Sequence, residues 1–149
     1  MADSDLIKLY SGRILDLAAD IPLTERLGHP DATVKKRSPL CGSTVTVDLS
    51  VADGRITAFG QDVKACALGQ AAASVVGRAV VGRTRAEIEG ARDDLHAMLK
   101  SGGPAPGAPF DGLAVLEPAR DYKNRHASIM LSLDAIAEAF AQAEESACA

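Results

Sequence analysis

Three side chains that could bind a metal or react with sulfur stand at the borders of predicted elements. Cys66 lies between a strand-like stretch, Phe59 to Val63, and a helix rich in small residues. At a helix start, unpaired backbone N–H groups and the helix dipole favour a thiolate, the form that binds metals and attacks sulfur. Cys41 precedes a predicted hairpin, and His126 lies near the start of the last predicted helix. Thiolates and imidazole suit zinc, copper and iron–sulfur centres better than hard cations such as Mg²⁺.

The spacing of these residues does not form a compact metal-binding motif. A structural role therefore stays open for each of them: a small core residue for Cys66, and a surface or hydrogen-bonded structural residue for His126.

The strand hairpin is the element that must bring the two thiols together. Apolar residues at positions 45, 47, 49 and 51 alternate with polar ones, which predicts a strand with one face in a core and the other in water. Asp53-Gly54 is a favoured two-residue turn, and the stretch from Arg55 to Phe59 returns. Because the strands are antiparallel, their far ends, next to Cys41 and Cys66, are expected at the same end of the sheet.

Helices are predicted before and after this hairpin. The spacing of Leu6, Tyr10, Ile14 and Leu17 predicts a first helix, capped by Asp3-Ser4 and ending near Ala19. The next predictions are a weak strand from Ala32 to Lys36 and a small-residue helix from Ala71 to Val81, broken by Gly77 and Gly82. A further helix, capped by Thr84, is expected to end at Lys100 and to be followed by a loop from Ser101 to Pro109. A short apolar turn or helix is predicted from Phe110 to Leu116, stopped by Pro118. The last predicted helix is capped by Asn124, frays from Glu144, and has a buried face formed by Ile129, Leu133, Ile136 and Phe140.

The composition indicates one soluble domain over residues 1–149 and excludes several functions. Hydrophobic residues make up 47% of the 149 positions, enough for a core in a domain of usual size. A net charge of −4, with two Tyr, three Phe and no Trp, argues against nucleic acid. No apolar run approaches the roughly 20 residues of a membrane span. The acidic start Met1 to Asp5 lacks the pattern of a signal peptide, and three cysteines do not make a disulfide framework, so we expect a cytoplasmic protein.

Seven short motifs together resemble a known family. In chain order they are Tyr10-Ser11, Pro39-Leu40-Cys41-Gly42-Ser43, Asp53-Gly54, Phe59-Gly60, Ala65-Cys66-Ala67, Gly77-Arg78 and Arg125-His126-Ala127-Ser128. From about Leu9 to Phe140, the chain resembles the IscU, NifU N-terminal and SufU family of iron–sulfur cluster scaffolds. The resemblance implies an α+β domain of the IscU/SufE-like type, with a small antiparallel sheet of about three strands packed against helices.

The same resemblance implies a function. The chain is expected to be a scaffold or carrier without enzymatic activity, binding iron and a 2Fe–2S cluster through Cys41, Cys66 and His126. A cysteine desulfurase is the expected sulfur donor, and iron–sulfur apoproteins are the expected recipients. The expected assembly is a monomer or a weak homodimer, and zinc is a possible ion in the isolated protein.

Two departures from the family pattern bear on the ligands. Ser43 stands where the family usually has Asp, and the last-helix motif reads His126-Ala127-Ser128 without the usual third cysteine. A 2Fe–2S cluster generally takes four protein ligands, so one position stays open for Cys148, an external thiol or a second subunit. Two alternative functions follow: a zinc-bound persulfide acceptor like SufU, or a family member that binds partners without a metal.

Charged residues near the predicted rim allow two interpretations. Lys64 could stabilise the Cys66 thiolate, or it could face solvent beside Asp62. The basic run from Lys35 to Arg37 is typical of a solvated strand edge, and alternatively could dock an acidic partner such as a desulfurase.

Overall fold

Three strands and five helices make up the part of the chain that the structure describes. The structure is a computed structural model, and it describes residues 11–39 and 42–148, with side chains through residue 145. The elements are α1 (Gly12–Ala19), β1 (Ala32–Arg37), β2 (Thr44–Ala52), β3 (Arg55–Lys64), α2 (Ala67–Ala79), α3 (Arg85–Ser101), a 3₁₀ helix (Asp111–Asp121) and α4 (Lys123–Cys148). The strands form one antiparallel sheet in the order β1-β2-β3. This confirms the predicted α+β class.

The hairpin between β2 and β3 has the predicted turn and register. Asp53 and Gly54 have φ values of 53° and 75°, the positive angles that a type I′ turn requires at both central residues. Pairing runs from Ala52 with Arg55 back to Thr44 with Lys64, with one register shift between Ser50 and Val51. Residue 43, which precedes Thr44, and residue 65, which follows Lys64, therefore lie at one end of the sheet, as the sequence predicts.

The core lies between one face of the sheet and the helices. α4 packs against β1, β2, α2 and α3, and so occupies the centre of the domain. The predicted apolar face of α4 is buried at all four of its positions: Ile129, Leu133, Ile136 and Phe140. α2 is buried around most of its circumference, because its small side chains allow close neighbours on several sides. Among the described residues, no helix combines the length and the apolar character that crossing a bilayer requires.

The opposite face of the sheet is partly covered, whereas the sequence predicted that it would face water. Asp48 on β2 is completely buried there. Its carboxylate accepts hydrogen bonds from Arg26 Nε at 2.6 Å and Nη2 at 3.0 Å, from Leu27 N at 3.1 Å and from Thr33 Oγ1 at 2.6 Å. We call these four residues the Asp48 cluster. The hydrogen bond from the Arg26 guanidinium holds the pKa of Asp48 below its usual value.

The segment between α1 and β1 makes this cover. Arg26 and Leu27 belong to it, and Gln61 Nε2 on β3 donates to the carbonyl of Pro22 at 2.9 Å. A side chain at Gly60 would collide with the backbone carbonyl of Glu25. The glycine therefore lets the segment lie directly on β3.

Several helix ends differ from the predictions. α2 begins at Ala67 and continues through Gly77, where a Cβ would lie 2.6 Å from Gln61 Nε2, so this glycine allows close packing and does not break the helix. Pro118 lies inside the 3₁₀ helix and does not stop it, because the φ that proline imposes fits a 3₁₀ helix. α4 begins at Lys123, one residue before the predicted cap, and continues to Cys148.

Other ends match the predictions. α1 ends at Ala19 as predicted, and Ser11 caps its start by accepting from Ile14 N at 3.4 Å. The predicted cap at Asp3-Ser4 lies outside the described residues. Thr84 and Glu87 form the predicted capping box of α3.

Candidate functional site

Cys66 stands at the predicted junction between strand and helix. It is the N-cap residue of α2, with extended backbone angles of −66° and 169°, and it makes no side-chain capping bond. Its side chain is half-buried. The Cys66 Sγ lies 3.4 Å from the Ser128 Oγ of α4. Cys66 is therefore partly exposed as a residue, and its thiol contacts the central helix.

Two buried serine hydroxyls form a chain of hydrogen bonds that begins at this thiol. The Ser128 hydroxyl donates to Ser43 Oγ at 3.2 Å, and the two serines are 1% and 5% exposed. A serine hydroxyl carries one hydrogen. Because Ser128 directs this hydrogen to Ser43, the Cys66 thiol is the donor in its contact with Ser128. We call Cys66, Ser43 and Ser128 the Cys66 rim.

Three separate elements position the Cys66 rim. Ser43 precedes β2, Cys66 follows β3, and Ser128 lies in the second turn of α4. Gly69 in α2 makes room for Ser128, because a Cβ at this position would lie 2.6 Å from its Oγ and 3.1 Å from its backbone oxygen. The missing side chain of Gly69 thus sets how closely α4 approaches α2 beside the thiol.

Backbone hydrogen bonds among Ser38, Gly42 and Ser43 lie beside the rim. Ser38 N donates to the Ser43 carbonyl at 2.8 Å, and Gly42 N donates to the Ser38 carbonyl at 2.9 Å. Gly42 has a φ of 72°, which favours glycine. Cys41 itself lies outside the described residues. The meeting of its thiol with Cys66 stays a prediction, while Ser43, two residues later, reaches the rim.

His126 lies buried in the first turn of α4. Its Nε2 is 3.0 Å from the Ala119 carbonyl and 3.1 Å from the Arg120 carbonyl. Carbonyls only accept hydrogen bonds, so Nε2 carries the proton and Nδ1 holds a lone pair. Within the described residues, Nδ1 is buried without a hydrogen-bond partner. Burial lowers the pKa of His126, and the neighbouring charges of Lys100 and His96 lower it further.

The described contacts place His126 and Ser128 on different sides of α4. Two residues along an α-helix are about 200° apart around its axis. Ser128 contacts Cys66 and Ser43, whereas His126 contacts the end of the 3₁₀ helix and lies near α3. A contact between His126 and Cys66 is not among those of the described residues. The role of His126 as a ligand stays a prediction.

Ser128 is the residue that sequence reasoning missed. The motif from Arg125 to Ser128 was interpreted through its histidine, although helical spacing allows only one of His126 and Ser128 to face a given neighbour. A glycine at position 69, inside a buried small-residue helix, was the available signal of a close approach.

Side chains in the described part of the chain include no group of three or more His, Cys, Asp or Glu residues arranged to hold a metal.

The charged residues near the rim pair at the surface. Lys64 Nζ lies 3.9 Å from Asp62, and both side chains are exposed, which agrees with the solvent-facing interpretation. Lys36 Nζ lies 3.5 Å from Glu138 of α4. This pair joins the edge strand to the central helix.

Known structures share this fold along almost the whole chain. The N-terminal domain of a nitrogen-fixing NifU-like protein from Brucella abortus is 48% identical, with a TM-score of 0.92, over 95% of this chain and 98% of that one. A candidate iron–sulfur cluster assembly scaffold protein for the SUF system from thermophilic Fervidobacterium islandicum AW-1 is 17% identical, with a TM-score of 0.81, over 90% and 98%. No protein-family model matches the chain, and no curated protein does. With nearly half its residues identical to those of the Brucella protein over 95% of its length, the chain belongs to the IscU/NifU/SufU-like family of iron–sulfur cluster assembly scaffolds.

Proposed function

We propose that this protein is a non-enzymatic scaffold or carrier that receives an iron–sulfur cluster as cargo at the Cys66 rim and passes it to recipient apoproteins in the cytoplasm. The observation that carries the proposal is the half-buried Cys66 thiol at the start of α2, in a chain 48% identical to a NifU-like protein. A cysteine desulfurase is the proposed source of sulfur. The protein is proposed to act as a monomer or a weak homodimer.

Cys66 and Cys41 are the proposed sulfur ligands. Cys66 caps a helix without a side-chain capping bond, so a ligand can replace its one described side-chain hydrogen bond without unfolding the helix. Cys41 stands two residues before Ser43 in the sequence. A ligand at a helix start can open to release cargo, as a carrier requires.

His126 is the proposed third ligand, and it would bind through Nδ1. A histidine that binds metal through one ring nitrogen usually donates the other N–H to a carbonyl or carboxylate, and His126 donates Nε2–H to carbonyls. Its neighbours lie on the far side of α4 from Ser128, so this role requires the first turn of α4 to rotate. A fourth ligand must come from an external thiol or a second subunit, because Cys148 ends α4, twenty residues and about 30 Å beyond Ser128.

The described Cys66 rim does not supply the full ligand set of a structural zinc site. Structural zinc sites use four strong donors, mainly thiolate, imidazole and carboxylate. The rim offers one thiol and two neutral hydroxyls, and the proposed Cys41 adds a second thiol. The zinc-bound persulfide acceptor is therefore the second candidate, and stoichiometric zinc in protein purified from metal-replete cells would favour it.

Anaerobic reconstitution with ferrous iron and sulfide tests the proposal. The full chain and its Cys148→Ala variant, a matched control at the far end of α4, are expected to develop visible charge-transfer absorption. Cys66→Ala and Cys41→Ala are expected to lose it. If both of these variants absorb like the unchanged protein, the proposed site is wrong.

The His126→Gln variant separates the two possible ligand sets. Reduced cluster absorption with an unchanged melting temperature supports His126 as a ligand. Absorption equal to that of the unchanged protein limits the ligands from this chain to the two thiolates, with external partners in the other two positions.

A further inference from the structure

We propose that Ser128 is a positioning residue for the Cys66 sulfur, and that it reverses its hydrogen bond when the sulfur takes up cargo. This inference rests on the proposed function. It assigns a task to the buried hydroxyl pair of the Cys66 rim, beyond the role of the thiol itself.

The hydrogen-bond directions define the unloaded state. Cys66 S–H donates to Ser128 Oγ across 3.4 Å, and Ser128 O–H donates to Ser43 Oγ across 3.2 Å. This sequence of donors and acceptors directs the thiol hydrogen toward the protein interior. It also fixes the rotamer of Cys66, because the acceptor belongs to the central helix and is itself 1% exposed.

Loading reverses the first bond. When it binds a metal, the Cys66 thiol releases its proton to solvent, so the sulfur can then only accept a hydrogen bond. Rotation of the Ser128 hydroxyl about its Cβ–Oγ bond turns the same hydrogen from Ser43 Oγ to the sulfur, and no heavy atom has to move. Hydrogen bonds to cluster sulfurs and ligands tune the stability and potential of metal centres. Ser128 is therefore placed to stabilise the loaded sulfur.

The contact is a feature of this position and not of buried serines in general. Ser132 lies one turn further along α4 and is equally buried, yet its hydroxyl has no partner among the described residues. Gly69 provides the difference, because it opens the space that Ser128 occupies. Ser132→Ala is consequently a matched control for Ser128→Ala.

The reversal also links Cys66 to the hydrogen-bonded turn between Ser38 and Ser43. In the unloaded state Ser43 accepts from Ser128, and on loading it loses this donor. Ser43 closes that turn through its carbonyl, which accepts from Ser38 N. Binding of cargo at Cys66 thus removes the hydrogen bond between the Ser128 and Ser43 side chains, and Ser43 belongs to this turn.

Raman spectroscopy of the S–H stretch tests the unloaded arrangement in the full chain. The Cys66 band is identified by difference from the Cys66→Ala variant. Ser128→Ala is expected to move this band to higher frequency, since the thiol loses its acceptor. Ser43→Ala is expected to move it less, because the acceptor remains but is no longer polarised by its own donation. Ser132→Ala is expected to leave the band unchanged.

Cargo retention tests the loaded arrangement. After anaerobic reconstitution, the visible absorption of Ser128→Ala is expected to decay about fivefold faster under a chelator, the effect of losing one hydrogen bond. Ser132→Ala is expected to retain cargo like the unchanged protein. Melting curves establish that the serine variants are folded.

The outcomes separate this inference from the proposed function. If Ser128→Ala matches Ser132→Ala in both band and decay, the positioning role is wrong while the scaffold function stands. If the unchanged protein takes up no cargo, the proposed function fails and the loaded half of this inference fails with it. The S–H band of Cys66 in the Raman spectrum then still tests the hydrogen bonds proposed for the unloaded protein. If the Ser128→Ala variant misfolds, the band shift of Ser43→Ala becomes the deciding result. The absence of that shift would overturn the proposed chain of hydrogen bonds.

Discussion

The Cys66 rim and the Asp48 cluster are two polar sites on one small sheet, and they are built in opposite ways. The Asp48 carboxylate is fully buried and accepts four hydrogen bonds, two of them from a guanidinium. The Cys66 thiol is half-buried and has one described side-chain hydrogen bond, at 3.4 Å to Ser128. Charge-assisted bonds are short and strong, whereas a thiol is a weak donor.

The difference indicates which site holds the fold and which can exchange partners. The Asp48 cluster fastens the segment between α1 and β1 to the sheet. The Cys66 rim loses only one weak described hydrogen bond when its sulfur binds another partner. The five predictions that follow test this contrast.

The largest effect is expected at Asp48. Asp48→Ala removes all four hydrogen bonds and leaves Leu27 N without its partner, so the free energy of unfolding is expected to fall by about 3 kcal/mol in urea denaturation. Asp62→Ala on β3 is the control. It removes an exposed ion pair of 3.9 Å, and a change within about 0.5 kcal/mol is expected. Equal effects of the two variants would contradict the anchoring role.

The acid stability of the protein is expected to depend on the same carboxylate. Because the pKa of Asp48 is lowered in the folded state, its contribution is present above the unfolded value of about 3.9 and is lost as the pH falls through the folded value. Asp48→Asn is expected to remove this part of the pH dependence, which urea titrations between neutral and acid pH measure.

The next effect concerns the packing behind the rim. Gly69→Ala places a methyl group 2.6 Å from Ser128 Oγ, and overpacking of this kind is expected to cost about 1–3 kcal/mol. Gly90→Ala in α3 meets nothing within 4 Å and is expected to stabilise the helix by about 0.5–1 kcal/mol. Urea denaturation distinguishes the opposite signs. A neutral or stabilising Gly69→Ala would show that Ser128 does not need the glycine.

A smaller, pH-dependent effect is expected at His126. Burial lowers its pKa in the folded state, so the unfolded chain binds the proton first as the pH falls below about 6.5. Stability is therefore expected to be full above this pH and to decrease below it until the folded pKa is reached. The His126→Gln variant should lack this decrease. Melting temperatures at pH 7.5 and 5.5 measure it, and an equal decrease in both proteins would contradict the assignment.

The smallest effect on stability is expected at the functional thiol. Cys66→Ala removes one weak hydrogen bond at a half-buried position, so the free energy of unfolding should change by about 1 kcal/mol or less. The same urea titrations compare it with Asp48→Ala. A loss as large as that of Asp48→Ala would identify Cys66 as a structural residue.

The sequence predicted the parts of the fold that depend on local patterns. Alternation along β2 and the Asp53-Gly54 turn determine the hairpin register, and this register places the residues beside both predicted thiols at one end of the sheet. The apolar spacing of α4 likewise identified its buried face. Each of these signals lies within about ten residues of the feature that it predicts.

The remaining features depend on contacts between distant segments. The cover over Asp48 comes from an irregular segment more than twenty residues away, which has no periodic pattern to reveal it. The contact of Ser128 with Cys66 depends on how α4 is rotated about its axis, and Gly69 of another helix determines this rotation through close packing. The same rotation directs His126 toward the 3₁₀ helix. Residue types alone could identify the Cys66 thiol as a candidate ligand, but they could not identify the side chains that contact it.

The most direct test of the central claim is cysteine protection by the cargo. The full chain is reconstituted anaerobically with iron and sulfide, treated with iodoacetamide, and analysed by peptide mass spectrometry beside the unloaded protein. Cys66 and Cys41 are expected to react when the protein is unloaded and to be protected when it is loaded, while Cys148 reacts equally in both states. Alkylation of Cys66 at the same rate with and without cargo would contradict the account.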